Sequence, residues 1–221
     1  MTLVLAHRGA SADAPENTLA AFELAVEQDA DMIETDLHLS RDGRIPLYHD
    51  DEIGRRPVGA LSLAEIRAAL PDAPELEDVL DRFGSRIPFN LELKGIYPGL
   101  VQRVLDAVRS RGLLEKTLFS SFEPAALREL RQLEPAARIG VLVQRRRAEE
   151  AEKLAIELRA EALHPPRQQV RRELVERLHA AGFAVNVFTV DDLAEQRRLV
   201  DWGIDGIFTN RPAQLRALLV R

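Results

Sequence analysis

The sequence predicts an eight-stranded α/β barrel, and three observations lead to this prediction. Eight short β-branched or aliphatic runs alternate with amphipathic helical stretches along the chain. From the middle onward, predicted strands begin near residues 88, 116, 138, 160, 183 and 205, at spacings of 28, 22, 22, 23 and 22 residues. Such a repeat is too long for a hairpin and fits one strand with one crossover helix, so the strands should be parallel.

The predicted strands are short and buried, and their boundaries follow the apolar runs. They cover residues 3–7, 32–37, 89–94, 117–121, 139–143, 161–163, 184–190 and 206–209. A ninth run, residues 45–49, closely follows Asp42 and Gly43, so we expect it to return from the second strand as a short hairpin insertion. The alternative, an open doubly wound sheet, needs a glycine-rich phosphate loop after the first strand, which residues 7–10 do not provide.

Signals for helix ends separate these strands. Ser62 and Glu65 have the spacing of a capping box, and Pro98 and Pro124 fit the first turn of a helix. Glycine follows three helical stretches, as expected for C-terminal caps, at positions 112, 182 and 203. The helices should therefore pack their apolar faces against the sheet.

The composition is that of a globular protein with a large core. The chain has 221 residues, 46% of them hydrophobic and 30% charged, so we expect residues 1–221 to form one barrel domain. Its apolar runs fall short of the roughly 18 residues that cross a bilayer, and its start lacks the pattern of a signal peptide. The sequence thus predicts a cytoplasmic protein without stable membrane insertion.

Charge and cysteine content exclude several classes of function. The net charge of −6 repels polyanions, so we expect no nucleic-acid partner. The basic run at 145–147 is followed by Glu149 and Glu150 and fits the solvated start of a helix. The absence of cysteine excludes disulfides, thiolate nucleophiles and cysteine metal sites. Arginine supplies 27 of the 30 basic residues, which fits a GC-rich genome and heat adaptation equally well.

Carboxylates are predicted to converge at the mouth of the barrel. Side chains alternate along a strand, so Glu34 and Asp36 share one face, and Asn90, Glu92 and Lys94 share the matching face of the next strand. Three hard oxygen donors suit Mg²⁺, Mn²⁺ or Ca²⁺, whereas a salt bridge or a helix cap is the ordinary alternative for a single acid. Lys94 either neutralises Glu92 or contacts a phosphate.

Two histidines are candidates for proton transfer. His7 ends the first strand and His49 ends the 45–49 run, which places both near the predicted carboxylates. A pair of imidazoles supplies a general base and a general acid near neutral pH, although each alone is more often structural. We expect ordinary structural roles for the other three histidines, His38, His164 and His179. His38 should lie beyond the mouth of the barrel. Phe122 and Val143 are expected in the core.

Several short motifs occur in a characteristic order from residue 7 to about residue 212. They are His7-Arg8-Gly9, Pro15-Glu16-Asn17-Thr18, Glu34-x-Asp36, Asp42-Gly43, His49-Asp50, Asn90-Leu91-Glu92-Leu93-Lys94, Phe188-Thr189-Val190 and Gly206-Ile207-Phe208-Thr209. The ordered set resembles the glycerophosphodiester phosphodiesterases. That resemblance implies a (β/α)8 barrel, a single catalytic domain, and hydrolysis of glycerophosphodiesters to glycerol 3-phosphate and an alcohol with one divalent cation.

The resemblance also implies a role for each site residue. Mg²⁺, Ca²⁺ or Mn²⁺ would be bound by Glu34, Asp36 and Glu92. The acid/base pair would be His7 and His49, and the substrate would be contacted by Arg8, Lys94 and Phe188. Glu16 should orient Arg8 through a charge-assisted hydrogen bond, or else act as a charge near a helix start. The partner is then a small-molecule glycerophosphodiester, and the sequence carries no signal for an oligomeric state.

The chain departs from the family pattern at a few positions. Phe188 stands where the family usually has tryptophan, which alters the apolar wall against the glycerol moiety. Asp191 follows where asparagine is usual, and Asn210 replaces the commoner aspartate. The segment 51–74 is short, so we expect an open mouth that tolerates varied alcohol groups.

Alternative functions and routes are open from sequence alone. A phosphodiesterase resembling sphingomyelinase D or lysophospholipase D would act at membranes and expose an aromatic or aliphatic loop, whereas aromatic residues make up 5% of this chain. A non-catalytic phosphoester-binding protein is a further alternative, and the intact histidines and carboxylates argue against it. The attacking oxygen is either water or the neighbouring glycerol hydroxyl, and the latter would form a cyclic phosphate.

Overall fold

A computed structural model describes residues 1–144 and 148–220 and contains a closed barrel of eight parallel strands. The barrel strands are β1 (Leu3–His7), β2 (Met32–Leu37), β5 (Phe89–Leu93), β6 (Thr117–Ser121), β7 (Arg138–Leu142), β8 (Ala162–His164), β9 (Ala184–Val187) and β10 (Gly206–Thr209). Around the barrel their order is β1-β10-β9-β8-β7-β6-β5-β2. Two more strands, β3 (Glu52–Ile53) and β4 (Arg56–Pro57), form a separate antiparallel pair. The predicted eight-stranded barrel is confirmed.

Helices follow the strands and surround the barrel. They are α1 (Leu19–Glu27), α2 (Leu63–Ala69), α3 (Leu76–Phe83), α4 (Leu100–Arg109), α5 (Pro124–Leu133), α6 (Ala148–Leu158), α7 (Arg172–Ala180), α8 (Leu193–Asp201) and α9 (Pro212–Leu219). The capping box of Ser62 and Glu65 is present, and Pro124 opens α5. Pro98 lies outside α4, because Gly99 at φ 86° caps that helix. Within the described ranges, each helix is too short or too polar to cross a membrane.

The segment after β2 differs from the predicted hairpin strand. Residues 45–49 return antiparallel to β2, with a bridge between Leu37 and Leu47 and a hydrogen bond from the Tyr48 N–H to the Asp36 carbonyl oxygen at 3.1 Å. They form no continuous strand, since Pro46 lacks the N–H that a ladder needs. The regular hairpin in this segment is β3–β4. The basic run at 145–147 lies outside the described residues.

The main core lies between the strands and the helices. Ile33, Leu37, Leu91 and Leu93 are at most 1% exposed and point to the helical layer, which confirms the predicted alternation along β2 and β5. The opposite faces of these strands therefore carry their polar residues into the barrel.

A smaller cluster fills the barrel interior and includes a buried histidine. Leu5, Met32, Leu118 and Phe208 pack together there. The His164 ring is fully buried, with its centroid 5.0 Å from that of Phe208, and burial lowers its pKa to about 3. The prediction of a structural role for this histidine agrees with its position.

Acid should destabilise the fold through His164. In the unfolded chain the imidazole takes a proton as the pH falls below about 6.5, while the buried ring stays neutral until about pH 3. The free energy of unfolding therefore keeps the whole contribution of the neutral His164 ring above pH 6.5. Between pH 6.5 and pH 4 this residue alone should lower the free energy of unfolding by about 3 kcal/mol. Urea unfolding at both pH values checks this against His164→Asn, which should lose that part of the pH dependence. The surface variant His179→Asn should keep it, and equal pH dependence in all three proteins would contradict the prediction.

Arginine–carboxylate pairs join helices that neighbour each other around the barrel. Arg128 of α5 donates two hydrogen bonds to Glu157 of α6, at 2.7 and 2.8 Å. Comparable ion pairs, within or directly after the helices, are Arg82–Glu23, Arg86–Glu23, Arg111–Asp81, Arg109–Glu134 and Arg177–Glu152. We call this set the arginine belt. It links α1, α3, α4, α5, α6 and α7 in that order.

Candidate active site

Three carboxylates meet at the carboxyl ends of β2 and β5. The register places Glu34 beside Asn90 and Asp36 beside Glu92. One oxygen from each of Glu34, Asp36 and Glu92 lies within 4.8 Å of the others, and all three residues are buried. The structure thus brings together the acids that strand alternation predicted to converge.

The charges of this cluster are only partly balanced by neighbouring cations. Arg8 Nε lies 3.2 Å from Asp36 Oδ2, while Lys94 Nζ lies 3.2 Å from Glu92 Oε1 and 3.7 Å from Asp36 Oδ1. Burial, reinforced by the neighbouring carboxylates, raises the pKa of Glu34 and that of Glu92. Three crowded oxygen donors of this kind fit a hard divalent cation, and these residues could hold one.

Arg8 is held by a tight turn after β1. Its backbone adopts φ 58° and its N–H donates to the Glu34 carboxylate at 3.0 Å. The guanidinium Nη1 donates to both oxygens of Glu16, at 3.0 and 2.9 Å, as the sequence suggested. Gly9 follows at φ 84°, and a Cβ there would come within 2.6 Å of the α1 backbone at Ala21. The turn therefore needs glycine at this position to aim Arg8 at the cluster.

Asn17 is a site residue that the sequence did not reveal. Its Nδ2 donates to Asp36 Oδ2 at 2.9 Å, and its Oδ1 accepts from the Thr35 hydroxyl at 2.7 Å. The side chain is buried and therefore fixes one rotamer of Asp36. The motif at 15–18 marked this stretch, but nothing in it indicated contact with a strand about 20 residues away.

The two candidate histidines line the same cavity in different surroundings. His7 at the end of β1 has Nδ1 2.7 Å from Asn210 Oδ1, and burial, followed by the charge of Arg8, lowers the pKa of His7 to about 4. His49 is partly exposed at the rim and has Nδ1 2.7 Å from Asp50 Oδ1. The two rings therefore lie in different surroundings, His7 buried beside an amide and His49 at the rim beside a carboxylate.

The cavity has a volume of about 200 Å³ and joins charged and apolar surfaces. Its lining includes all the predicted site residues except the more deeply buried Asp36, together with Asn90, Ser120, Phe122, Leu142, Thr189 and Phe208. Phe122 and Phe188 form one wall, with ring centroids 5.9 Å apart and planes at 84°. The expectation that Phe122 lies in the core is wrong, because it follows the last residue of β6 and faces the cavity; Val143 is buried as expected.

The remaining histidines lie outside this cavity. His38 directly follows the last residue of β2 and is fully buried, with Nδ1 3.1 Å from the Tyr97 hydroxyl, which fits the expected structural role. Burial and the nearby Lys94 charge lower the pKa of His38 to about 4. His179 Nε2 lies 2.7 Å from Asp205 on the surface.

A parallel barrel with this arrangement of carboxylates, cations and imidazoles at its carboxyl-terminal face has the form of an α/β-barrel enzyme. The family model described as "Glycerophosphoryl diester phosphodiesterase family" matches residues 7–214. The chain belongs to this family, which confirms the resemblance noted in the sequence.

Named relatives cover nearly the whole chain. A glycerophosphodiester phosphodiesterase of Caldanaerobacter subterraneus subsp. tengcongensis is 33% identical over 97% of this chain and 96% of its own. One of Bacillus subtilis is 30% identical over 95% of this chain and 84% of its own. Among solved structures, an Oleispira antarctica phosphodiesterase in complex with the product sn-glycerol-3-phosphate has a TM-score of 0.88 and 27% identity, covering 100% of this chain and 98% of that one.

Proposed function

We propose that residues 1–221 act as one catalytic domain that hydrolyses glycerophosphodiesters to sn-glycerol 3-phosphate and an alcohol. The observation that carries the proposal is the cavity in which Arg8, Lys94 and two histidines surround three buried carboxylates. The solved relative from Oleispira antarctica, which holds sn-glycerol-3-phosphate, supports a small phosphoester as the substrate. The cytoplasmic location stays a prediction from sequence.

In this proposal Glu34, Asp36 and Glu92 hold one divalent cation, Mg²⁺, Ca²⁺ or Mn²⁺. When bound, the cation supplies positive charge next to the phosphodiester. Arg8 and Lys94 contact the non-bridging oxygens, where negative charge accumulates during the reaction. Glu16 holds Arg8 and Glu92 holds Lys94 before substrate arrives. These two side chains therefore need little rearrangement to stabilise the developing charge.

His7 and His49 carry the proton transfers in this mechanism. One imidazole removes the proton from the attacking oxygen as the new P–O bond forms, and the other donates a proton to the alcohol oxygen as the old P–O bond breaks. The attacking oxygen is water, which gives glycerol 3-phosphate directly, or the neighbouring glycerol hydroxyl, which gives a cyclic phosphate that water must open in a second step. Accumulation of a cyclic glycerophosphate by His7→Ala or His49→Ala supports the hydroxyl route, and labelled solvent oxygen in the product without any cyclic species excludes it.

Phe188, with Phe122, contributes the apolar side of the substrate site. The two rings meet edge to face and leave one wall of the cavity without charged groups. The carbon skeleton of the glycerol unit fits this wall, while the phosphate faces Arg8 and Lys94. The opening at the partly exposed His49 leaves room for varied alcohol groups.

Release of glycerol 3-phosphate from glycerophosphocholine tests the function. We expect hydrolysis that falls by roughly 100-fold or more after exhaustive chelation and returns when Mg²⁺, Mn²⁺ or Ca²⁺ is added. Circular dichroism of the chelated protein should show an unchanged fold. Activity indifferent to chelation would contradict the metal site, and absence of hydrolysis with every glycerophosphodiester would contradict the function. Preference for lysophosphatidylcholine on vesicles would instead favour a lysophospholipase D.

A further inference from the structure

Three neighbouring barrel strands end in residues that form one hydrogen-bonded chain. His7 ends β1, Asn210 directly follows β10, and Asp191 follows β9 by a few residues. His7 Nδ1 lies 2.7 Å from Asn210 Oδ1, and Asn210 Nδ2 donates to Asp191 Oδ2 at 2.7 Å. Asp191 is thus linked to a cavity histidine through an amide and does not touch the histidine itself.

The Asp191 carboxylate determines which way the Asn210 amide points. Its second oxygen, Oδ1, accepts from the Asn210 backbone N–H at 2.8 Å and from the Thr209 hydroxyl at 2.9 Å. Both carboxylate oxygens therefore act as acceptors, and an ionised carboxylate has no proton to donate. Asn210 must turn its NH₂ group toward Asp191, which leaves its carbonyl oxygen facing His7.

A carbonyl oxygen facing His7 Nδ1 selects one form of the neutral ring. The amide oxygen can only accept, so Nδ1 must carry the hydrogen and Nε2 is left with its lone pair. The Ser11 hydroxyl, 2.7 Å from the His7 carbonyl oxygen and 2.8 Å from Asn210 Oδ1, packs against the same amide. Asp191, which reaches His7 only through Asn210, therefore determines which ring nitrogen of His7 carries the hydrogen.

We propose that Asp191 is a positioning residue for His7, which it holds through the Asn210 amide in the Nδ1–H tautomer so that Nε2 is the proton acceptor. This inference rests on the proposed catalytic role of His7. Asp191 and Asn210 form a complementary pair for this role, since the carboxylate accepts two hydrogen bonds from the asparagine.

Asp191→Asn is the sharpest single test, because it changes the hydrogen-bonding pattern and almost nothing in shape. The amide oxygen at position 191 still accepts from Thr209 and the backbone, so its NH₂ group would meet the NH₂ group of Asn210. Two donors cannot share a hydrogen bond, so Asn210 rotates and presents NH₂ to His7. The proton of His7 should then move from Nδ1 to Nε2.

The measurements are nitrogen-15 NMR of the His7 ring at pH 7.5 and steady-state kinetics with glycerophosphocholine. We expect the wild type to show Nδ1–H and the Asp191→Asn variant to show Nε2–H. The kcat of the variant should fall by about tenfold or more, with KM changed by less than about twofold. The double variant Asp191→Asn/Asn210→Asp restores an acceptor beside His7 and should return both the Nδ1–H form and most of the kcat.

Two results would overturn the proposal. One is an Asp191→Asn protein that keeps the Nδ1–H form, since a merely structural role would lower the melting temperature without moving the proton. The other is a double variant with native melting temperature whose His7 proton stays on Nε2. The NMR result does not depend on activity, so it is separable from the proposed function: full activity in His7→Ala would reject the catalytic role and leave the tautomer measurement standing.

Discussion

Asp36→Asn is expected to lower kcat/KM for glycerophosphodiester hydrolysis by roughly a factor of 10³ or more. Asp36 stands at the centre of the cluster, next to Glu92 in the register and in contact with Arg8, Lys94 and Asn17. The asparagine keeps the shape and can still accept from Asn17. It replaces one of the three charged oxygen donors of the proposed metal site by a neutral amide, and it removes the negative charge that Arg8 and Lys94 both face.

The matched control is Asp81→Asn, the same change at a surface carboxylate. Asp81 pairs with Arg111 on the outside of the barrel, at 2.6 and 3.0 Å, far from the cavity. Kinetics of both variants, together with their circular dichroism spectra and melting temperatures, separate a loss of chemistry from a loss of fold. If a folded Asp36→Asn protein lost less than about tenfold in kcat/KM, the central role of this carboxylate would be wrong.

His49→Gln should reduce kcat by roughly 10² to 10⁴, the usual contribution of a general acid or base. Glutamine is of similar size and can hydrogen-bond, but it cannot exchange a proton near neutral pH. Because His49 is partly exposed and its side chain contacts Asp50 at the rim, the substitution should leave the fold unchanged. The loss should therefore be in kcat, which stopped assays of glycerol 3-phosphate release measure directly.

His179→Gln provides an unusually close control for this variant. Its imidazole also lies 2.7 Å from a carboxylate, Asp205, and is also partly exposed, but it sits on α7 away from the cavity. The two substitutions remove the same side chain from similar contacts with a carboxylate. Equal activities of the two variants would remove His49 from the mechanism.

The barrel was predictable because its periodicities are local. Alternation along β2 and β5 is visible within a few residues, and it is enough to place Glu34, Asp36 and Glu92 on one face of the sheet. Strand ends were less certain, since β9 ends at Val187 and not at Val190, and β5 ends one residue before Lys94, whose N–H still donates to the Leu37 carbonyl oxygen. The carboxylates therefore converge whichever residue is counted as the end of the strand.

The parts of the site that sequence could not supply depend on contacts between distant residues. Asn17 reaches Asp36 only because the loop after β1 folds back over β2, and Asn210 reaches His7 only because the barrel closes. Phe122 illustrates a different limit. An aromatic residue after a strand fits a core or a cavity wall equally well, and only the position of Phe188 across the mouth decides which.

The arginine belt has a consequence for how substitutions on the outer surface act. A guanidinium offers two parallel donors to one carboxylate, as Arg128 does to Glu157, whereas a lysine in its place keeps the charge and loses the fork. Such exposed pairs are screened by water and salt, so losing one has little effect by itself. Taken together, the pairs favour packing of each helix against one particular neighbour, because each guanidinium needs a carboxylate at a matching position. The leucines and valines beneath them resemble one another and do not distinguish between neighbouring helices in this way.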